Sequence, residues 1–92
     1  STGVFYRTPS PTEPEYVNVG DVVNADDTLC QLEAMKMFTP VNLNSFSGNA
    51  GEVYPADGQY EVTRINIASG QQVNEGDLLF VIKPQQAASE TA

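Results

Sequence analysis

The sequence predicts an all-β fold, a flattened β-barrel or sandwich of two small antiparallel sheets with pseudo-twofold symmetry. Short apolar segments alternate with turn residues along the chain, and no stretch of 12 residues keeps the i, i+3, i+4 apolar spacing of a helix. The chain also contains an internal repeat. The whole chain has 92 residues, which suffice for one small domain.

The repeat relates two segments that lie 50 residues apart. GDVVNADDTLCQLE, which starts at Gly20, aligns with GQQVNEGDLLFVIK, which starts at Gly70. Identical residues meet at five positions: Gly20 and Gly70, Val23 and Val73, Asn24 and Asn74, Asp27 and Asp77, and Leu29 and Leu79. Each copy predicts a turn, a short strand, a tight turn and a longer strand. Two copies are too few for a solenoid and indicate a two-fold sandwich.

The strands follow from local alternation or from continuous apolar runs. Strands are predicted at residues 17–19, 22–23, 28–32, 41–43, 62–67 and 78–82. The segment from Arg7 to Glu15 holds three prolines in nine residues, so it is excluded from a central strand. It is predicted to be an ordered, projecting loop.

Charge and composition narrow the functional classes. The chain has twelve acidic and four basic residues, which gives a net charge of −8. This charge argues against binding to nucleic acid or to anionic membranes. The chain has no histidine, which excludes an ordinary zinc site and a histidine-based triad. The single cysteine, Cys30, lies in an apolar run and is predicted to be a buried core residue in a reducing compartment, the cytoplasm or a plastid.

The stretch Glu33-Ala34-Met35-Lys36-Met37 places one of only two lysines between the only two methionines. It follows the longer strand of the first repeat, so Lys36 is predicted at or near a hairpin tip. For an arbitrary Met-Lys-Met sequence, this would be a solvated turn lysine beside methionines that cover the edge of the sandwich.

The chain resembles the biotinyl domain, the carrier domain of biotin-dependent carboxylases. The resemblance rests on EAMKM at residues 33–37, on GVFYRTPSP from Gly3 to Pro11, and on the closing SGQQVNEGDLLFVIKP. The second stretch is similar to carriers of the acetyl-CoA carboxylase type, in which a proline-containing loop forms a protruding thumb. We use "thumb" for the loop from Arg7 to Glu15.

The resemblance implies that a biotin protein ligase acylates Lys36 through a biotinyl-adenylate. Biotin on Lys36 then carries CO₂ as N-carboxybiotin between a biotin carboxylase and a carboxyltransferase, most simply those of acetyl-CoA carboxylase in fatty acid biosynthesis. The domain is accordingly expected to be a carrier with a swinging arm and not an enzyme. Tethering would raise the effective concentration of the arm at each active site.

The resemblance also implies roles for the neighbouring residues. Ala34 keeps one side of the lysine small, and Met35 and Met37 offer soft apolar contacts to partners. Glu33 would orient the turn or meet the ligase. In the family the thumb folds towards biotin and can contact its ureido ring, which implicates Thr8, Pro9, Ser10 and Pro11.

Two departures from the family pattern affect the predicted boundaries. The domain is expected at residues 1–83, with a disordered tail at 84–92 and without the family's first strand, so the strand at 78–82 should have an open edge. The segment from Gly48 to Gly58 is expected to be an insertion that projects away from Lys36.

Other hypotheses remain at this point. A lipoyl domain shares the fold but usually has its lysine in an Asp-Lys-Ala context. Carriers of pyruvate or propionyl-CoA carboxylases, or of decarboxylase sodium pumps, usually lack the thumb. An OB-type binding barrel would need basic grooves with stacking aromatics. A degenerate carrier that is never modified would have the same sequence features.

Overall fold

A computed structural model describes residues 2–45, 54–55 and 57–85 of the chain. Within these residues the predicted all-β fold is confirmed. The strands are β1 (Gly3–Tyr6), β2 (Val22–Asn24), β3 (Cys30–Ala34), β4 (Met37–Val41), β5 (Gln59–Ile65), β6 (Gln71–Val73) and β7 (Phe80–Pro84), with a 3₁₀ turn at Leu43–Ser45. One antiparallel sheet has the order β4-β3-β1-β6, and the other has the order β2-β5-β7.

The core consists of two apolar clusters that the sequence repeat relates to each other. The first contains Phe5, Cys30, Leu32, Val41, Ile67, Val73 and Leu79, and the second contains Val17, Val23, Ala25, Leu29, Leu43, Tyr60 and Val62. Val73 and Leu79 of the first cluster correspond to Val23 and Leu29 of the second. Ile65 and Phe80 pack against both clusters and join them.

The predicted pseudo-twofold symmetry is confirmed down to single hydrogen bonds. The backbone N–H of Asn24 donates to Asp27 Oδ2 at 2.9 Å, and the N–H of Asn74 donates to Asp77 Oδ2 at 2.8 Å. At the preceding turn Gly20 has φ 98° and Gly70 has φ 90°. Only glycine adopts such a conformation without cost, which explains why glycine occurs at both positions.

Several strand predictions were wrong in position. Residues 17–19 form no strand, because the N–H of Asn18 bonds to the Asp21 side chain and the chain turns. Residues 41–43 are not a strand either: β4 ends at Val41, and Leu43 begins the 3₁₀ turn. The predictions at 28–32 and 78–82 began two residues too early, since the strands run over 30–34 and 80–84.

Strand β4 was not predicted over most of its length. Its residues Met37 to Pro40 are exposed, so they carry no inward-outward alternation, and Pro40 is unusual in a strand. β4 lies at the edge of its sheet, where a proline without a backbone N–H is tolerated.

Some predictions fall on residues beyond those described. Of the segment from Gly48 to Gly58, the structure describes only Tyr54, Pro55, Asp57 and Gly58, so its predicted projection lies outside the described residues. Strand β7 continues to Pro84, and residues 86–92 of the predicted tail lie outside the described residues. Among the described strands β7 pairs with β5 alone.

Candidate functional site

Lys36 lies at the apex of the β3–β4 hairpin. The two strands pair in register from Cys30 opposite Val41 to Ala34 opposite Met37, which leaves Met35 and Lys36 as a two-residue turn. Both turn residues have a left-handed backbone, with φ 53° at Met35 and φ 67° at Lys36. Two-residue hairpins with this geometry favour Asn and Gly, and each ordinary side chain there costs about 1 kcal/mol. The paired strands hold this strained turn in place.

The side chain of Glu33 closes the turn. Its Oε2 accepts a hydrogen bond from the backbone N–H of Lys36 at 3.0 Å. Because Leu32 faces the core, Glu33 projects from the opposite, outer face of the sheet. This geometry gives Glu33 a turn-orienting position, one of the two roles that the sequence suggested.

The residues around Lys36 are open to solvent. Met35 is 93% exposed and Met37 is 72% exposed, and Ala34 and Lys36 are exposed as well. In the part of the chain that the structure describes, Lys36 makes no ion pair. The amine therefore projects from a rigid apex between two flexible apolar side chains, a form that a modifying enzyme can enclose.

Close packing fixes the base of this hairpin. A Cβ atom placed on Gly3 of β1 would lie 2.7 Å from the backbone oxygen of Glu33. Real Cβ atoms do not come so close to a carbonyl oxygen, so a larger residue at Gly3 would push β1 away from β3. Glycine at this position keeps the two strands together directly beneath the turn.

The thumb is an ordered loop closed at its base. The N–H of Tyr16 donates to the carbonyl of Arg7 at 2.8 Å, and the N–H of Glu13 donates to the carbonyl of Ser10 at 3.1 Å. The guanidinium of Arg7 donates to the carbonyl of Val17 at 2.9 Å and to Asn18 Oδ1 at 3.0 Å. Arg7 thus joins the start of the loop to the chain that follows it.

A side chain on β3 anchors the thumb. Gln31 Nε2 donates to the carbonyls of Thr8 and Pro9, both at 3.2 Å. Gln31 projects from the same outer face as Glu33 and lies two residues further from the turn along β3. The strand that carries the lysine motif therefore also holds the thumb.

The predicted site residues fall into two groups on this outer face. Glu33 to Met37 form the hairpin tip, and Thr8 and Pro9 lie at Gln31; beyond them Ser10 Oγ lies 3.4 Å from Thr12 Oγ1 and Pro11 is exposed. Within the described chain no hydrogen bond joins the thumb to Lys36. The prediction that the thumb residues contact a cofactor stays a prediction.

Sequence reasoning missed Gln31 and Arg7. A polar residue between the apolar Cys30 and Leu32 was the available signal for Gln31, because the alternation places it opposite the core. Arg7 is one of four basic residues in the chain, and its position at the start of a proline-rich loop was the corresponding signal.

Cys30 is fully buried, which confirms its prediction as a core residue. Burial raises the pKa of its thiol to about 12, so the thiol stays protonated near neutral pH. Since the thiolate is the reactive form, Cys30 is an inert packing residue.

Across the residues described, no helix has both the length and the apolar composition needed to cross a membrane.

Comparisons with known protein sequences identify the family of this chain. The sequence model of the biotin/lipoyl family, described as "Biotin-requiring enzyme", matches residues 1–82. The chain is 34% identical over 82 residues to the chloroplastic biotin carboxyl carrier protein of acetyl-CoA carboxylase from Glycine max, covering 89% of this chain and 26% of that protein. It is 36% identical over 80 residues to the biotin carboxyl carrier protein of acetyl-CoA carboxylase from Chlamydia muridarum, covering 87% of this chain and 41% of that protein.

A third relative is the biotin carboxyl carrier protein of acetyl-CoA carboxylase from Nostoc, which is 33% identical over 82 residues, 89% of this chain and 38% of that protein. The chain thus spans less than half the length of these three relatives. Since the family match covers residues 1–82 of the 92, the chain belongs to the biotin/lipoyl family of biotin-requiring enzymes.

Proposed function

We propose that this chain is the carrier domain of a biotin carboxyl carrier protein, with biotin attached to Lys36. The observation that carries the proposal is the exposed lysine at the strained apex of a two-residue turn, inside the intact sequence EAMKM. A lysine whose backbone is held by two paired strands, but whose amine is free in solvent, fits a residue that an enzyme must find and modify.

Attachment would convert the amine of Lys36 into an amide. The Nζ lone pair attacks the acyl carbon of biotinyl-adenylate, a C–N bond forms, the bond from the acyl carbon to the phosphate oxygen breaks, and AMP leaves with the electron pair. The nitrogen releases its proton to solvent, so the side chain loses its positive charge. Once attached, biotin supplies the group that carries the carboxyl between active sites.

The residues of the chain itself would position this arm. The hairpin fixes the Cα of Lys36, Glu33 holds the turn, and Met35 and Met37 offer adaptable apolar contact to each partner. A tethered arm reaches two active sites without free diffusion, and its gain is one of effective concentration. On this proposal the domain is a carrier and supplies no catalytic group.

The relatives' names favour acetyl-CoA carboxylase as the parent enzyme. The proposed partners are therefore a biotin protein ligase, a biotin carboxylase and a carboxyltransferase. The proposed compartment is the cytoplasm, or a plastid as in the relative from Glycine max, because a lone reduced thiol suits both. A carrier of another biotin-dependent carboxylase or decarboxylase would have the same modification and a different acceptor.

The test is the intact mass of the chain after co-expression with a biotin protein ligase and free biotin. The chain has only two lysines, so Lys36→Arg and Lys83→Arg form a matched pair. We expect the wild type and Lys83→Arg to gain the mass of one biotin minus one water, and Lys36→Arg to gain nothing.

A gain that persists in Lys36→Arg would overturn the assignment of the site. No gain in the wild type would overturn the biotin carrier itself. A parallel expression with a lipoate ligase and lipoic acid distinguishes the remaining alternative, since a gain of one lipoyl group with no gain from biotin would indicate a lipoyl domain.

A further inference from the structure

An open groove lies beside the free edge of β2, at the margin of the three-stranded sheet. β2 pairs with β5 on one side, and among the strands described none pairs with its other side. The groove has a volume of about 490 Å³, and its lining includes Val17, Asp21, Val22, Val23 and Asp27. We call this site the β2 groove.

The strand register leaves the backbone of one β2 residue free to pair with another chain. The N–H of Val62 donates to the carbonyl of Asp21 at 2.9 Å, and Val23 lies opposite Tyr60 along the same ladder. Hydrogen-bonded positions alternate along an antiparallel pair, so the N–H and C=O of Val22 point away from β5, towards the open edge. A free strand edge is a template on which a further extended segment can pair.

The side chains of the β2 groove combine apolar and acidic character. Val17 and Val23 are buried and form an apolar floor, while Val22 is 49% exposed. Asp21 and Asp27 are exposed and lie before and after β2 along the chain. Each carboxylate uses Oδ2 for a turn hydrogen bond of 2.9 Å, and neither Oδ1 has a hydrogen bond within the described residues. The groove therefore suits an occupant that is both extended and positively charged.

The second copy of the repeat indicates that the turn closed by Asp21 does not require a charge. Gln71 is the residue equivalent to Asp21. Its Oε1 accepts the N–H of Ala68 at 3.2 Å, just as Asp21 Oδ2 accepts the N–H of Asn18 at 2.9 Å. An uncharged amide closes the same turn, so local structure does not account for the negative charge of Asp21 beside the groove.

The β2 groove lies at the opposite end of β3 from Lys36. Asp27 precedes the first residue of β3 by three positions, and Lys36 follows the last residue by two. The five residues of β3 separate them by about 13 Å at roughly 3.3 Å per residue. A segment bound in the groove leaves Lys36 accessible, and its binding does not depend on a group attached there.

We propose that the β2 groove binds an extended segment of a partner protein that carries an arginine or a lysine. The segment pairs with the N–H and C=O of Val22 and places its cation at the carboxylates of Asp21 and Asp27. A second copy of this chain is a poor source of such a segment, because two copies of net charge −8 repel each other. The charge of the groove thus favours a different, basic partner.

The test titrates the full chain, labelled with ¹⁵N, with short synthetic peptides and follows its amide signals by NMR. The probe is acetyl-Thr-Val-Arg-Val-Thr-amide. The matched peptide has citrulline, which keeps the shape of arginine without its charge. We expect saturable shifts that are largest at the Val22 amide, and about three- to fivefold weaker binding of the citrulline peptide, since it loses an exposed ion pair.

Substitutions in the chain separate the groove from the general acidity of the domain. Asp21→Asn keeps an acceptor for the turn and removes the charge, so it should weaken the arginine probe about three- to fivefold. Asp77→Asn is the matched control, because Asp77 makes a turn hydrogen bond of 2.8 Å in the second copy and is absent from the groove lining. It should leave binding unchanged.

A second pair of variants tests the strand pairing. Val22→Pro removes the free N–H at a position where an edge strand tolerates proline, and it should weaken the probe about three- to tenfold. Val22→Ala keeps the N–H and should bind as the wild type does.

Three results would overturn the proposal. The first is the absence of a shift at Val22 with about 10 mM of the arginine probe. The second is equal binding of the two peptides, or equal weakening in Asp21→Asn and Asp77→Asn, which would indicate general attraction to an acidic domain. The third is unchanged binding in Val22→Pro, which would exclude pairing at the edge of β2.

Discussion

At the scale of single residues, the site depends on a backbone conformation that its side chains disfavour. Met35 and Lys36 both occupy the left-handed region, which Asn and Gly adopt at lower cost than other residues. Strain of this kind persists where the surrounding structure imposes it, and it often occurs at functional sites. Here the paired strands and the Glu33 hydrogen bond impose it, and on the proposed function the apex is the point that a ligase would recognise.

Replacing Met35 by Asn should therefore stabilise the fold and impair modification. Met35→Asn relieves the left-handed strain and loses no packing, because Met35 is 93% exposed. We expect the free energy of unfolding to rise by about 1 kcal/mol and biotinylation by the ligase to slow. Chemical denaturation and a time course of intact mass measure the two effects.

Met37→Asn is the control for this change. Met37 is also exposed, but it lies in β4 with no positive φ, so asparagine gains nothing there and is disfavoured in a strand. A gain in stability of equal size in both variants would show that turn strain is not its source.

At the scale of secondary-structure elements, β3 connects the two parts of the candidate site. Its inward residues Cys30 and Leu32 belong to the core, and its outward residues Gln31 and Glu33 hold the thumb and the turn. One strand with period-two alternation thus carries both packing and positioning. A shift of one residue in its register would exchange these roles and bury the polar pair.

Removing the Gln31 amide should loosen the thumb without unfolding the domain. Gln31→Ala loses two hydrogen bonds to the thumb carbonyls, and we expect amide hydrogens of the loop, such as those of Glu13 and Tyr16, to exchange about tenfold faster. Hydrogen exchange followed by NMR measures this.

Gln72→Ala is the matched control for thumb release. Gln72 lies on β6 of the same sheet, and its side chain bonds the carbonyl of the adjacent Val73 at 3.5 Å and no other group among the described residues. Exchange in the thumb should not change in this variant. Unchanged exchange in Gln31→Ala as well would mean that the Arg7 contacts and the loop's own bonds suffice to hold it.

At the scale of the whole molecule, two similar halves share one core. Each half contributes a turn with a glycine at positive φ and a reciprocal Asn–Asp hydrogen bond. The first cluster draws buried residues from both copies of the repeat, and Phe80 and Ile82 of the second copy pack against the second cluster. Ile65 and Phe80 contact both clusters. The halves are therefore expected to unfold together in one transition.

Equivalent substitutions in the two halves should have equal effects. Asp27→Ala and Asp77→Ala each remove one turn hydrogen bond, so each should lower the free energy of unfolding by about 1 kcal/mol. The double variant should lose about the sum, with the denaturant slope unchanged.

Asp26→Ala provides the comparison, because the Asp26 carboxylate makes no hydrogen bond within the part of the chain that is described. Urea titrations of the four variants and the wild type give the free energies. A large loss of unfolding free energy in one variant and none in the other would mean that the two halves share their geometry but not their contribution to stability.

Sequence reasoning was most reliable where a local pattern is repeated. The matched Gly, Asn and Asp of the two copies predicted the turns correctly, since turn geometry depends on a few adjacent residues. It failed at residues 17–19, where a hydrogen bond from the Asn18 N–H to the Asp21 side chain turned an alternating segment into a loop. It also failed at β4, whose exposed residues show no alternation.

The sequence by itself determined the all-β class, the two-fold repeat, the motif around Lys36 and the ordered proline-rich loop. Tertiary structure alone decided the left-handed turn at Met35 and Lys36, the anchoring of the thumb by Gln31 and the meeting of Tyr6 with Phe38 above β3. The physical reason is the distance along the chain over which the deciding interactions act. A turn or an alternation depends on neighbours in the chain, whereas these contacts depend on which strands the two clusters bring side by side.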